Sequence, residues 1–85
     1  MKLTLKYFAS MKEHMACSTE AYEASETVKT VGALKQDLLI NHSKFASACA
    51  EVGRVQVAVN QEMADDDAAL QNGAEVAFFP PVTGG

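Results

Sequence analysis

The sequence has few of the residues that build metal, redox or catalytic centres. It contains two cysteines and two histidines. The cysteines form no Cys-x-x-Cys pair, and the four residues do not make the two short-spaced pairs that a zinc site requires. Cys17 and Cys49 are therefore interpreted as buried or half-buried thiols in a reducing compartment. His14 and His42 have no second ligand or base partner nearby in the sequence, so both are interpreted as surface histidines.

Long apolar runs are also missing. No stretch approaches the length of a membrane span, and Met1–Ser10 alternates lysine and leucine without the apolar core of a secretion signal. We therefore expect a cytoplasmic protein with no membrane partner. The 85 residues suffice for one small domain and are too few for a buried catalytic cleft with several residues.

Basic residues are absent from the C-terminal third. All seven Lys and Arg lie at or before Arg54, and every charged side chain after it is acidic. Because this region would repel phosphate, a nucleic-acid partner is disfavoured. The acidic residues either keep the protein soluble or face a basic surface on a partner.

Three segments alternate in the manner of strands: Lys2–Phe8, Val55–Asn60 and Glu75–Phe79. Residues 71–73 predict a tight turn into the last of them, and Met63 begins a short strand or a loop. The acidic residues 65–67 predict a solvated turn.

The helix signals are of unequal strength. Thr30 is the predicted N-cap of a helix that continues to about Ile40. Residues 10–13 have the form of a capping box, which predicts a short helix that ends near Ala16.

Two further segments remain open at the level of sequence. Residues 18–25 fit either a helix or a strand, and residues 44–51 could form one or two helical turns that end at Gly53. The order of elements predicts an α+β roll in which a helix packs across one face of the sheet.

Strand parity points to an exposed apolar patch. In the last strand Val76 and Phe78 share the core parity, so Phe79 points to the other face. Phe8 likewise has the outward parity of the first strand. If the two strands are parallel neighbours, both phenylalanines lie at one end of the outward face, a typical binding surface. Alternatively, Phe8 bends into the following turn and the tail covers Phe79.

The last six residues predict an extended tail, 80–85, attached to a folded domain of residues 1–79. Two prolines stop the strand, and two glycines leave the end without side chains. Six extended residues reach about 20 Å, so the carboxylate of Gly85 could enter a narrow channel in another protein. The alternative is a frayed chain end.

Four runs of residues carry a resemblance to a known family. They are Glu-Val-Ala-Phe-Phe-Pro-Pro-Val-Thr-Gly-Gly at 75–85, Leu-Lys-Tyr-Phe-Ala at 5–9, Val-Ala-Val-Asn-Gln at 57–61 and Asn-Gly-Ala-Glu-Val at 72–76. With these runs the whole chain resembles the small sulfur-carrier subunits of molybdopterin synthase, which are ubiquitin-like β-grasp proteins with a mixed sheet. One departure is that Ala16-Cys17 stand where the family often has glycine.

The resemblance implies a sulfur-donor role without catalytic groups on this chain. An adenylyltransferase resembling the ubiquitin-activating enzymes would use ATP to adenylate Gly85, and a sulfur-donor enzyme would then convert it to a thiocarboxylate. The tail, Pro80, Pro81, Val82, Thr83 and Gly84, would enter the active site of the large subunit. There Gly85 would give sulfur to cyclic pyranopterin monophosphate, and the chain itself would bind no cofactor and no metal.

The resemblance also implies how the chain docks. The family's hydrophobic contacts fall on Phe8, Met63 and Phe79, and the same surface would serve both partners, so activation and sulfur delivery would exclude each other. Two small subunits would flank a dimer of large ones. The alternatives are a sulfur carrier for thiamine, tRNA thiolation or cysteine synthesis, a modifier of target lysines, and a plain interaction domain.

Overall fold

The fold, taken from a computed structural model that describes residues 1–81, is a five-stranded sheet with three helices. The elements in chain order are β1 Lys2–Tyr7, α1 Ala9–Met15, β2 Thr19–Glu23, α2 Val31–Asn41, α3 Ser43–Val52, β3 Gln56–Val59, β4 Glu62–Ala64 and β5 Glu75–Phe79. None of these helices is long and apolar enough to cross a membrane.

The sheet is mixed, with the strand order β2-β1-β5-β3-β4. The first and last strands are parallel neighbours at its centre, where Leu5 pairs with Val76 and Tyr7 with Phe78. All other strand pairs are antiparallel. The predicted α+β roll is confirmed, and so is the parallel pairing on which the parity prediction depended.

The helices cover one face of this sheet, because the side chains that the central strands direct to that face are apolar. Tyr7, Phe45 and Phe78 are fully buried, and the ring of Phe45 meets that of Phe78 edge-on at 5.0 Å. Edge-to-face packing of aromatic rings adds to the gain from burying their area. The opposite face of the sheet, called the open face below, carries no helix among residues 1–81.

The capping-box prediction at residues 10–13 is wrong. Helix α1 begins at Ala9, two residues earlier than a cap at Ser10 would give, and its N-cap, Phe8, makes no side-chain capping bond. The carbonyl of Phe8 accepts from the N–H groups of Met11 and Lys12, so Ser10 lies inside the helix. The hydroxyl therefore stands too late in the sequence to cap it.

The prediction for α2 is confirmed. Thr30 accepts a hydrogen bond from the N–H of Ala33 at 3.2 Å. The acidic loop, residues 65–67, supplies an acceptor for a second backbone N–H in the first turn of α2. The carbonyl of Asp66 accepts a hydrogen bond from the N–H of Gly32. A Cβ on Gly32 would lie 3.2 Å from that carbonyl oxygen, so glycine permits this close approach.

The two open segments are resolved. Residues 19–23 form an edge strand that pairs with β1, and residues 43–52 form a full helix that ends at Gly53, where φ is 86°. Pairing with β1 outweighs the helix propensity of the first segment, because an edge of the sheet is available beside it.

His42 is not the surface histidine that its isolation in the sequence predicts. Its Nδ1 accepts from the N–H of Phe45 at 3.4 Å, which caps α3. Its Nε2 lies 2.9 Å from the carboxylate of Glu20. The His42 side chain therefore has a structural role, because it connects the junction of α2 and α3 to strand β2. No local pattern indicates this role, because its partner, Glu20, is distant along the chain.

The burial predicted for the two cysteines agrees with the structure. Cys17 and Cys49 are free thiols, and both are half-buried. Burial raises the pKa of the Cys49 thiol above its ordinary value. This thiol is therefore less reactive than an exposed one.

Candidate docking surface

Three apolar side chains share the open face. Phe8 is 50% exposed and Met63 is 64% exposed, whereas Phe79 is partly exposed. Large apolar side chains at such exposure are a typical mark of a binding surface. We call Phe8, Met63 and Phe79 the docking surface.

Strand register places these residues close together. One row across the sheet runs from Lys6 through Ala77 and Ala58 to Met63, because each is the direct partner of the next. In the next row Phe79 pairs with Gln56, and Phe8 follows the last paired residue of β1. The two rows are adjacent on one face, so the three apolar side chains surround one patch.

The floor of the patch is flat because it is made of alanine. Ala58 is 9% exposed and Ala77 is 7% exposed, although both lie on the open face. A flat floor with raised aromatic and thioether side chains can receive a complementary surface without moving the backbone.

Phe8 is held in place from both sides. Its N–H donates to the carbonyl of Phe78 at 3.1 Å, which keeps it beside the end of β5. The preceding residue, Tyr7, is buried, and its hydroxyl donates to Glu20 at 2.6 Å. Burial, followed by this hydrogen bond, raises the pKa of Tyr7 well above its ordinary value. The phenol therefore stays neutral and anchors the end of β1.

Met63 is presented by a tight hairpin. Asn60 and Gln61 both have positive φ, 50° and 72°, which matches the twist of the flanking strands. The Asn60 side chain also accepts from the N–H of Glu75 at 3.0 Å. This hydrogen bond joins the hairpin to the central strand β5, which fixes the position of Met63 next to Ala58.

Charges border the patch without crossing its centre. Lys6 pairs with Glu75 at 3.5 Å, and because water still reaches both partly exposed side chains the pair contributes at most about 1 kcal/mol. On the opposite side lies the acidic loop, residues 65–67, in which Asp66 pairs with Lys35 at 2.7 Å. The predicted solvated turn at this loop is confirmed, since all three aspartates are exposed.

The tail begins at the docking surface. Pro80 and Pro81 follow Phe79 directly and are half-buried outside any strand. The remaining tail residues of the prediction, Val82, Thr83, Gly84 and Gly85, lie outside the described part of the chain.

The described residues contain few groups suited to chemistry. Within 1–81 no three His, Cys, Asp or Glu side chains lie close enough to hold a metal ion. Every buried side-chain nitrogen or oxygen in this part of the chain has a hydrogen-bond partner. The arrangement there is suited to binding another protein through the docking surface.

Comparison with known proteins identifies the family of this chain. A model of the ThiS family matches residues 5–85. The chain belongs to the ThiS family. The match includes the second half of β1, all of β5, the docking surface and the tail.

Two relatives are similar over nearly the full length of the chain. The chain is 42% identical, over 93% of its length and 94% of the relative's, to the molybdopterin synthase sulfur carrier subunit of Escherichia coli K12. It is 36% identical, over 98% and 99% of the two chains, to the protein of the same name from Haemophilus influenzae.

A solved structure confirms the fold class. SAMP1 of Haloferax volcanii, a small archaeal modifier protein, superposes with a TM-score of 0.75 at 28% identity and covers all of both chains. The ubiquitin-like β-grasp fold that the resemblance implied is therefore confirmed for this ThiS family member.

Sequence reasoning missed part of the surface. Ala58 and Ala77 form its floor, and their parity was visible, but small residues carry no hydrophobic signal of their own. Gln56 was missed as well, because its place beside Phe79 depends on the register of β3 and β5. A strand alignment, once known, identifies all three.

Proposed function

We propose that this chain is the sulfur-carrier subunit of a molybdopterin synthase. The supporting observation is that the tail leaves the strand whose last residue, Phe79, belongs to the docking surface. Docking of that surface brings the tail to the partner in one binding event. Holding reactants together in this manner replaces a bimolecular encounter by an intramolecular one.

In this proposal the chemistry occurs at Gly85. A carboxylate is a poor electrophile, so an adenylyltransferase first joins it to the α-phosphate of ATP and releases pyrophosphate. Sulfide supplied by a donor enzyme then attacks the acyl carbon and displaces AMP, which leaves a thiocarboxylate. In the large subunit this sulfur attacks a carbon of cyclic pyranopterin monophosphate, and water then cleaves the bond between the sulfur and the Gly85 carbonyl, which restores the carboxylate. Two such deliveries complete the dithiolene of molybdopterin. Both partners act in the cytoplasm, and the large subunit supplies the acid and base groups.

The first experiment tests Gly85. The full chain is incubated with ATP, the adenylyltransferase and a sulfur source, and its intact mass is measured. We expect one oxygen to be replaced by sulfur within the C-terminal peptide. A chain extended by one residue after Gly85 is the control and should keep its mass and its fold. Normal molybdopterin formation by that extended chain would contradict the proposal.

The second experiment tests the docking surface. Phe79→Asp places a charge in a surface that loses its water on binding, so affinity for the large subunit should fall by at least about 2 kcal/mol, roughly 30-fold. Ile40→Asp is the control, because Ile40 is 77% exposed and lies on α2, away from the open face. An unchanged dissociation constant for Phe79→Asp would show that binding uses another surface.

The similarity to SAMP1 keeps a second function under test. A modifier would form isopeptide bonds between Gly85 and lysines of target proteins. The same incubation, carried out in a lysate, distinguishes the two. Lysine-linked conjugates would favour the modifier, and a free thiocarboxylate without conjugates favours the sulfur carrier.

A further inference from the structure

Strand β2 forms one edge of the sheet, with β1 as its only neighbouring strand in residues 1–81. Two backbone hydrogen bonds mark the ends of this antiparallel ladder. At one end the N–H of Ala24 donates to the carbonyl of Met1 at 2.8 Å, and at the other the carbonyl of Ser18 accepts at 3.0 Å. Because hydrogen-bonded positions alternate along an antiparallel pair, the even-numbered residues of β2 bond to β1. The odd-numbered residues turn their backbone groups outward.

The outward backbone groups of β2 belong to Thr19, Ala21 and Glu23. Their three N–H and three carbonyl groups form no backbone hydrogen bond in the part of the chain that the structure describes, and all three residues are exposed. Natural edge strands are usually protected by proline, lysine or a bulge. Strand β2 contains neither proline nor lysine, and its register with β1 is unbroken. This edge is therefore a template for another extended strand.

The inward side chains of β2 hold the strand against the rest of the domain. The hydroxyl of Tyr22 donates to Asp37 of α2. The carboxylate of Glu20 accepts from the hydroxyl of Tyr7 and lies 2.9 Å from Nε2 of His42. Because both side chains are fixed, the backbone of β2 is already extended before any strand binds, and pairing has little left to order.

The residues of β2 match a second copy of the same strand. A twofold axis perpendicular to the sheet at Ala21 places Ala21 opposite its own counterpart and Thr19 opposite Glu23, and every outward N–H and carbonyl group of both strands then has a partner. In the same register Glu20 lies opposite Tyr22, so no like charges are directly opposite. A shift of two residues in either direction loses a hydrogen-bonded pair, and one of these shifts places Glu20 opposite itself. One register is therefore favoured over its neighbours.

We propose that two copies of this chain pair through antiparallel β2 strands and join their sheets edge to edge. The added strand lies in the plane of the sheet, so the docking surface of each copy stays uncovered, and both docking surfaces face the same side of the pair. Pairing through β2 and binding of a partner through the docking surface can therefore occur together. The pairing uses no residue of the tail, and it does not rest on the proposed function.

The size of the contact sets the expected strength of pairing. The five residues of β2 in each copy form a seam much smaller than the roughly 20–30 residues a side of a stable interface. We therefore expect a weak pair whose population depends on protein concentration.

Sedimentation equilibrium of the full chain tests the proposal. We expect the weight-average mass to rise with concentration from the monomer value of 9.1 kDa toward twice that value. Ala21→Pro should pair at least about 10-fold more weakly, because it removes an outward N–H that β1 does not use. Ala21→Val, the control, keeps this N–H and should pair like the original chain. A monomer at millimolar concentration, or equal loss of pairing in both variants, overturns the proposal.

Charges placed on the twofold axis give a test that misfolding cannot imitate. Ala21→Lys and Ala21→Glu should each pair at least about 10-fold more weakly with themselves, because the new charge lies opposite its own counterpart. Mixed in equal amounts, the two variants should pair with each other, because opposite charges then meet at the axis. The test is made in 0.15 M salt, where charges more than about 8 Å apart are screened and directly opposite residues still interact. If the mixture stays monomeric while the original chain pairs, the axis does not pass through Ala21 and the proposal is overturned.

Discussion

Replacement of Ala16 by glycine should stabilise this protein. Ala16 ends helix α1 with a left-handed backbone, φ 60° and ψ 24°, and its N–H donates to the carbonyl of Lys12. The residue is exposed, so removal of its methyl group sacrifices little packing.

The magnitude follows from two opposing terms. A left-handed conformation costs an L-residue roughly 1–2 kcal/mol, and glycine avoids this cost. Glycine in turn loses more conformational freedom on folding, about 0.5–1 kcal/mol. The difference is a gain of about 0.5–1 kcal/mol in the free energy of unfolding. For a domain of this size it raises Tm by about 2–8 °C.

Urea unfolding followed by circular dichroism measures this gain. The control is Glu13→Gly, at an exposed position within the same helix, where glycine should lower the stability by up to about 1 kcal/mol. If both variants lower the unfolding midpoint equally, the left-handed conformation of Ala16 does not cost what we have assigned to it.

The remaining predictions concern pH and the core. Burial, and then a hydrogen bond to Asp37, raises the pKa of Tyr22 to about 12 from its ordinary 10.0. Between these values the unfolded chain releases the phenolic proton and the folded chain keeps it, so stability is intact below pH 10 and falls as the pH rises through this window. Tyr22→Phe should flatten this fall in alkaline urea titrations, and an unchanged slope would refute the assignment. Phe45→Ala should lower the free energy of unfolding by about 3–5 kcal/mol, because it leaves a cavity in the centre of the core. Ile40→Ala, the control, should change it by about 0.5 kcal/mol at most. Equal effects of the two substitutions in thermal unfolding would contradict the packing described here.

The sequence correctly predicted the strands and helix that are specified by residues close together in the chain. Alternation identified β1, β3 and β5, and a hydroxyl N-cap identified the start of α2, because each depends on residues a few positions apart. The same local reasoning failed at Ser10. A hydroxyl followed three residues later by glutamate suits an N-cap, but the hydrogen bond from Phe8 to β5 turns the chain earlier.

Features that depend on distant residues could not be predicted in this way. The state of residues 18–25 depended on whether an edge of the sheet was free beside them. The role of His42 depended on Glu20, which is 22 residues away. Parity placed Phe8 and Phe79 on one face only under an assumed pairing, and Met63 joined them through the register of β3 and β4.

The central position of both β1 and β5 has a consequence for synthesis. When β1 leaves the ribosome, the place beside it in the sheet is empty, and it stays empty until residues 75–79 have also emerged. Contacts between strands so far apart in sequence form late. An interrupted chain lacks its middle strand and exposes apolar surface that proteases and chaperones recognise. Phe8 and Met63 are therefore brought together on one surface only in a chain that has already been translated as far as Phe79.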